Sequence, residues 1–413
     1  MNKNENEKFI ITVNSKSPSK DIIAFTKLVS ERKKRIEKAS SKPITSDPIN
    51  ELARTLHPER LFLIISEIRD ETKTTKTFKL VADPASTTKQ LAYFRPGQYL
   101  SLKVEVNGVI ITRPYSIASS PNEALKGFYE ITIKKEEHGF LTHHIWDNWK
   151  VGTKIISSGP EGFFFYDPLR DSKQIVGIAG GSGITPFRSI AKSIIDNTID
   201  AKLTILYGSS DQKDIIYFNE FKNIESQNPE KIKVVYILSC EEISLEGCEL
   251  GFITADIIEK YSTVSNSSFF ICGPQVMYNF VEKELQRFNL PKKQIRREAF
   301  GEIKDIINYP DFPQDLAEKS FELEVIMGNV TKKIPSLATE SVLVALERAN
   351  LTPPSKCRSG ECGFCRSHLI SGNIYVSPIS DWRRSADKKY NFFHPCSSYP
   401  ISNLKIDVPR HVI

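Results

Sequence analysis

The sequence predicts a multidomain protein: an antiparallel β-barrel, an α/β domain on a parallel sheet and a compact α+β domain, preceded by a helical extension. Three patterns predict it. Between about Leu61 and Phe165, six runs alternate apolar and polar residues with turn residues between them, as half-buried antiparallel strands do. From residue 170 to about 300, strand-like runs alternate with amphipathic helical stretches, which argues a doubly wound parallel sheet. The last 94 residues, from Ser320, hold a strand hairpin, a helix and four cysteines.

Composition sets the outer limits. A chain of 413 residues has room for about three domains. Its 40% hydrophobic and 26% charged content is ordinary for a globular protein, and a net charge of +6 is too mild to imply nucleic acid. No run of about 18 apolar residues exists, so no membrane span is expected. The start, MNKNENEKF, lacks the apolar core of a secretory signal. Seven cysteines, an odd number, do not suit a disulfide framework, and a reducing cytoplasm is the expected location.

In the extension, SKDIIAFTKLVSERKKRIEKASSK places Ile22, Ile23, Phe25, Leu28, Val29 and Ile36 near helical spacing. Residues 15–44 carry nine Lys or Arg against three Asp or Glu. The expected element is a helix that packs its apolar side on the main body and leaves a basic face in water. The other reading is a basic amphipathic helix that docks a partner or an anionic surface. A second short helix, INELARTLHPER, leads into the barrel.

The barrel runs are LFLIISEIRD, TKTFKLVAD, YLSLKVEV, VIITRPYSIAS, FYEITIKKE and KIISSGPEG. Arg113-Pro114-Tyr115-Ser116 lies on the fourth. Its guanidinium can neutralise a phosphate, its ring can stack on an isoalloxazine and its hydroxyl can reach the N5 region, so the motif can grip a flavin nucleotide. Taken alone it is a short string, and a core aromatic at Tyr115 is the alternative; the dinucleotide domain that follows decides for the flavin. Ile131 and Ile133 on the fifth run, with Leu141, are counted among the flavin's surroundings. A helix opening at Gly139 to Thr142 offers N-terminal amides to a second phosphate.

In the α/β region, QIVGIAGGSGITPFRSIAKSII is a strand, a glycine-rich turn and an amphipathic helix. Gly180, Gly181 and Gly183 sit where backbone amides can approach a pyrophosphate at a helix N-terminus, although GGSGITP is not the G-x-G-x-x-G fingerprint. The stretch LYGSSDQKDIIYFNEF would bring Ser209, Ser210 and Tyr217 near an adenosine ribose. No arginine stands there to clasp a 2′-phosphate, which favours NADH over NADPH. Cys272-Gly273-Pro274 ends a strand at the edge of the sheet where ligands of such folds bind, which sets Cys272 beside a nicotinamide; the alternative is a buried core cysteine. Residues 301–320, with two prolines and no clear period, read as a linker.

The cysteines complete the pattern. Cys357, Cys362 and Cys365, with Cys396 31 residues further on, have the C-x4-C-x2-C…C spacing of a plant-type [2Fe–2S] site. Soft thiolates suit tetrahedral iron, and Gly360 and Gly363 allow the backbone to wrap closely around it. The alternative, a zinc site, ordinarily shows two C-x2-C-like pairs, and here there is one such pair and two single cysteines.

RPYS, GFLT, GGSGITP, CGP, EAF and the four-cysteine domain, in that order, resemble the ferredoxin-NADP reductase superfamily over residues 60–413. The likeness is to its three-domain members: phenylacetyl-CoA oxygenase, hybrid-cluster-protein and phthalate dioxygenase reductases. The helical extension over 1–58 lies outside it; the resemblance implies a flavin-binding barrel over 59–168 and an NAD(P) domain over 169–303. A linker over 304–319 and a β-grasp-like [2Fe–2S] ferredoxin domain over 320–413 complete it. It implies that Arg113, Tyr115 and Ser116 form the R-x-Y-S flavin motif, with Thr142 in the second. Gly181, Gly183, Thr185 and Pro186 match the nicotinamide-side turn, Cys272 to Pro274 the CGP motif, and Phe300 an aromatic beside the flavin. Tyr115, Ser116, Thr185 and Cys272 are then expected to frame the reacting rings. The implied cofactors are FAD rather than FMN, a [2Fe–2S] cluster, and NADH or NADPH.

Electrons would pass from NAD(P)H through the flavin, which accepts a hydride and releases electrons singly, to the cluster and on to a partner redox protein. Arg358, Arg366, Arg383, Arg384, Lys388 and Lys389 are expected to form a basic surface around the cluster that favours an acidic docking face. Two rival readings are a redox sensor working through the basic N-terminal helix, and an NADH oxidase or quinone reductase working from the flavin alone.

Overall fold

The computed structural model describes residues 17–41, 47–240, 246–298, 300–303 and 305–410. Residues 1–52 and 53–413 form two separate compact units. Helix α1 (Pro18–Glu37) starts on a proline, with Asp21 in its first turn and Lys34 and Arg35 in its last, all favourable to a helix. None of its residues is buried, and Ile22, Phe25 and Leu28 are 65%, 66% and 62% exposed. Helix α2 (Pro48–Leu56) follows, its first amides accepted by the Asp47 carboxylate. Among the described residues no helix is long and apolar enough to cross a membrane.

The next six strands are β1 (Leu61–Thr72), β2 (Thr75–Ala82), β3 (Tyr99–Val106), β4 (Val109–Ser116), β5 (Phe128–Lys134) and β6 (Lys154–Ser157). They form an antiparallel sheet ordered β4-β3-β6-β1-β2-β5. An Ile117–Ile131 bridge joins the two outer strands and closes the barrel. Inward alternation sets Leu63, Ile65, Phe78, Leu80, Leu100 and Leu102 in its core. Two short helices, α3 (Pro121–Leu125) and α4 (Phe140–Asn148), flank β5.

The parallel sheet is built from β7 (Gln174–Gly180), α5 (Thr185–Ile195), β8 (Lys202–Ser209), α6 (Phe218–Gln227), β9 (Ile232–Leu238) and β10 (Glu249–Leu250). Helix α7 (Ala255–Tyr261), β11 (Ser267–Cys272), α8 (Gln275–Gln286) and β12 (Ile295–Glu298) complete it. The order is β10-β9-β8-β7-β11-β12, and apolar cores cover both faces. The order reverses between β7 and β11, so the ends of these two strands border the crevice where such folds bind ligands.

The last region holds β13 (Ser320–Met327), β14 (Val330–Leu337), α9 (Val342–Arg348), β15 (Ser367–Ser371) and β16 (Ile374–Tyr375). Helix α10 (Ser385–Lys389), β17 (Phe392–Phe393), β18 (Tyr399–Pro400) and β19 (Leu404–Asp407) end the chain. The main sheet is ordered β14-β13-β19-β15-β17, with the β13–β19 pair parallel. The architecture is thus the predicted one: barrel, parallel α/β domain and α+β ferredoxin domain behind a helical N-terminus. The segment expected as a linker is itself packed, since Ile306 and Phe312 are buried against Ala338 and Tyr399.

Arg188 on α5 ties the barrel to the parallel sheet. Its buried guanidinium pairs with Glu130 on β5 at 2.6 Å and Glu220 on α6 at 2.8 Å, and donates to the Ala118 carbonyl at 3.0 Å. Burial pushes the Glu130 carboxyl up, but Arg188 and Arg69 outweigh it and hold it below the usual range. Arg188→Met leaves a buried carboxylate short of its main partner and is expected to cost about 3–5 kcal/mol. A depressed carboxyl stabilises above its unfolded pKa and loses that contribution as pH falls through its folded one. The deficit of the variant in calorimetric melts should therefore be full at neutral pH and shrink below about pH 4.

Candidate functional site

Three groups of residues converge at the junction of the barrel, the parallel sheet and the ferredoxin domain. The first is the cysteine loop. Cys357, Cys365 and Cys396 are buried and Cys362 is exposed, and all four are free thiols. The Cys365 and Cys396 sulfurs stand 3.4 Å apart beside Leu343. The amides of Ser359 and Cys362 point at the Cys357 sulfur at 3.5 and 3.4 Å, and the Phe364 amide at the Cys362 sulfur at 3.4 Å. Amides aimed at sulfur stabilise thiolates and sulfides. Gly360 has φ +85°, and a Cβ there would meet the Ser397 hydroxyl and the Ser380 carbonyl, so the wrap requires glycine. The buried Ser359 hydroxyl faces the Cys357 sulfur and, with the amides, favours its thiolate. Among the described residues no three His, Cys, Asp or Glu side chains are set to hold a single ion. The donor set fits a dinuclear cluster held by four thiolates.

The second group lies on the barrel. Arg113 and Tyr115 are half-buried on β4 and Ser116 is buried at its end. Arg113 donates to its neighbour Thr112's carbonyl at 2.9 Å and, among the described residues, forms no ion pair. A half-buried guanidinium without a carboxylate fits a phosphate ligand. Burial, partly offset by Arg113, pushes the Tyr115 phenol up to about 12, so it stays neutral. Gly139 caps α4, and a Cβ there would collide with the Thr142 hydroxyl, which donates to the Gly139 carbonyl at 3.0 Å. Ile131, Ile133 and Leu141 belong to the barrel core, which leaves only their backbone for a ligand. Phe300 packs edge-on against Tyr99, ring centroids 5.2 Å apart.

The third group is the crevice of the parallel sheet. From Gly180, the last residue of β7, the chain turns through Gly181 and Gly183 into α5, where the Thr185 hydroxyl donates to the Ser182 carbonyl at 2.7 Å and Pro186 sits in the first turn. This turn lies directly on Cys272-Gly273. A Cβ on Gly183 would fall within 3.0 Å of the Cys272 carbonyl and the Gly273 nitrogen, and one on Gly180 would press on Pro274 and Met277. Cys272 is buried at the end of β11, and burial raises its thiol well above the usual range. Ser209 and Ser210 end β8 at the same edge, with the Ser209 hydroxyl donating to the Asp211 carbonyl at 3.0 Å. Tyr217, expected beside a ribose, lies elsewhere. It is buried between the barrel and α5, its hydroxyl bonded to Thr132 and its ring 4.8 Å from the Arg188 guanidinium.

Comparison with known proteins matches the same three regions. Residues 63–166 match the oxidoreductase FAD-binding domain, 178–283 the oxidoreductase NAD-binding domain and 327–400 the 2Fe-2S iron-sulfur cluster binding domain. The ferredoxin reductase component of 3-ketosteroid-9-alpha-monooxygenase from Mycobacterium tuberculosis (strain CDC 1551 / Oshkosh) is 27% identical over 353 residues, 83% of this chain and 94% of that one. NADH-cytochrome b5 reductase 1 from Candida glabrata is 31% identical over 199 residues, 48% of this chain and 69% of that one. The chain belongs to the ferredoxin-NADP reductase superfamily. Phthalate dioxygenase reductase shares its fold, with a TM-score of 0.61 at 22% identity over 85% of this chain and 98% of the other. The protein is therefore an iron-sulfur flavoprotein oxidoreductase with FAD, NAD and [2Fe–2S] domains in one chain.

The reductase departs from the sequence reading around its cluster. Arg358 is not on a basic surface; it is buried and paired with Glu302 and Glu347. Arg366 pairs with Asp387, and Arg383 and Lys388 both pair with Asp381, so half of the six expected surface cations are neutralised beyond Arg358. Two further residues of the reductase escaped the sequence reading. Asp211 follows the two serines at the end of β8. Glu298, on β12, is buried with one carboxyl oxygen unpartnered, and burial, then Glu361 and Cys357, raises it well above the usual range. The acidic residue two positions before Phe300 was its one visible signal.

Proposed function

We propose that this reductase takes a hydride from NADH at the crevice of its parallel sheet and delivers single electrons from its cluster to a partner enzyme of the oxygenase class. The flavin, when bound, supplies the step from two electrons to one. Arg113 holds a flavin phosphate, and Tyr115 and Ser116 orient the ring system. The Gly180–Gly183 turn, with Thr185, carries the nucleotide's pyrophosphate on the α5 N-terminus, and Cys272 to Pro274 bound the nicotinamide. Asp211 beside Ser209 and Ser210 supports NADH, because a carboxylate repels a 2′-phosphate and can accept from the ribose hydroxyls. The partner class rests on the reductase components of oxygenases among the relatives. Cys362, the exposed ligand, marks the face from which electrons leave. Arg384 and Lys389 support an acidic partner face, and attraction to it is weaker than six free cations would give.

The observation that carries this reading is the meeting, at one junction, of the Arg113 guanidinium, which has no ion-pair partner among the described residues, the Gly183–Cys272 contact and the four thiols. An anaerobic optical titration of the reconstituted protein tests it. NADH should bleach flavin and cluster bands together at about one and a half equivalents, three electrons in all, with NADPH less effective. A cluster band that stays unchanged while the flavin bleaches would put the oxidase or sensor reading ahead.

A further inference from the structure

Arg358 stands in the cysteine loop at φ +60°, a conformation uncommon for any residue but glycine. Its buried guanidinium makes a two-pronged pair with Glu347 on α9, at 2.5 and 2.9 Å, and a second pair with Glu302, just beyond β12. It also donates to the Thr112 carbonyl on β4 at 3.3 Å. Arg113 donates to that same oxygen at 2.9 Å. One barrel carbonyl thus joins the arginine of the cysteine loop to the arginine of the flavin motif. Burial, then Arg358, works against the charge on Arg113, and Glu302 and Glu347 offset only part of this. Both carboxylates are nevertheless held by Arg358, and Arg113 has neither.

We propose that Arg358 is a positioning residue of the flavin site: by holding Glu302 and Glu347 it keeps the Arg113 guanidinium free for a flavin phosphate, and so couples flavin binding to the seating of the cysteine loop. The inference rests on the reading of Arg113 as a flavin ligand. The physical reason is competition. Arg113 can serve one anion fully, and two carboxylates fixed in a partly desolvated site outcompete a diffusing phosphate unless another cation holds them. Because such coupling is reciprocal, a bound flavin also secures the loop from which the cluster hangs.

Flavin affinity, measured by fluorescence quenching on flavin-stripped protein, tests the inference without recourse to turnover. Arg358→Met should weaken FAD binding at least tenfold (about 1.4 kcal/mol), because Glu302 and Glu347 then capture Arg113 and add negative charge beside the phosphate. The triple change Arg358→Met, Glu302→Gln, Glu347→Gln should restore affinity to within about threefold of wild type, since no carboxylate remains to compete. Arg358→Lys, which keeps a charge but cannot grip both carboxylates, should fall between and covers the case in which the methionine variant does not fold. Wild-type affinity in both Arg358 single variants overturns the inference. So does a triple variant as weak as Arg358→Met, because the loss would then be one of packing and not of charge. If Arg113→Ala binds FAD as wild type does, the flavin motif itself has been misread, and the inference falls with it.

Discussion

A Cys365→Ser protein should still let NADH reduce the flavin at the wild-type rate, while electron delivery to a one-electron protein acceptor is expected to fall more than a hundredfold. Loss of an outer hydrogen-bond partner at a metal site typically costs about 10–100-fold, and loss of a ligand exceeds that. Cys365 is the stringent choice among the four. It is buried, its sulfur is 3.4 Å from that of Cys396, and it packs on Leu343, so no water can replace the thiolate and a harder serine oxygen is a poor substitute. Cys362 is exposed, and a variant there could recruit solvent. The barrel and the parallel sheet have their own cores, so the nicotinamide-to-flavin half of the path survives. Stopped-flow bleaching of the flavin, followed by turnover with a one-electron acceptor, separates the halves. Cys240→Ser, at an exposed thiol after β9, should change neither. Unimpaired delivery by the Cys365 variant would mean that electrons leave from the flavin.

What the chain disclosed in advance follows the reach of each signal. Strand alternation is local, and all six barrel runs begin within a residue or two of the observed strands, from Leu61 to Lys154. Ligand spacing is nearly as local: three thiols within nine residues need little of the fold to meet, and only Cys396 had to be brought in. The misses all depend on tertiary neighbours. Tyr217 follows a strand end at the right distance for a ribose, but a left-handed backbone at φ +61° turns it under the barrel toward Arg188. Arg358 reads as one more surface cation until Glu302, 56 residues before it, and Thr112, 246 residues before it, come alongside. The linker between the last two domains carries no periodicity because its Ile306 and Phe312 fill a crevice made by others.

Gly183→Ala should cost the reductase about a hundredfold in NADH-driven flavin reduction while leaving the flavin and cluster spectra unchanged. Nothing in the backbone angle forbids alanine there, because Gly183 is not among the residues with positive φ. The obstacle is contact: the added methyl would lie within 3.0 Å of the Cys272 carbonyl and the Gly273 nitrogen, backbone atoms that cannot rotate aside. The turn proposed to cradle the pyrophosphate must then lift off the strand end proposed to bound the nicotinamide, and a shift of about 1 Å between reacting groups is enough for a loss of about 10²-fold. Gly181 supplies the contrast. It has φ +52° and nothing stands within 4 Å of where a methyl would go, so Gly181→Ala meets only backbone strain of about 1–2 kcal/mol and should slow the same step far less. Dithionite, which needs no nucleotide site, should reduce both centres equally well in the two variants. If instead Gly181→Ala were the more damaging, the turn's conformation and not its contact with Cys272 would set the nicotinamide's place. If dithionite reduction failed as well, the lesion would lie outside the crevice.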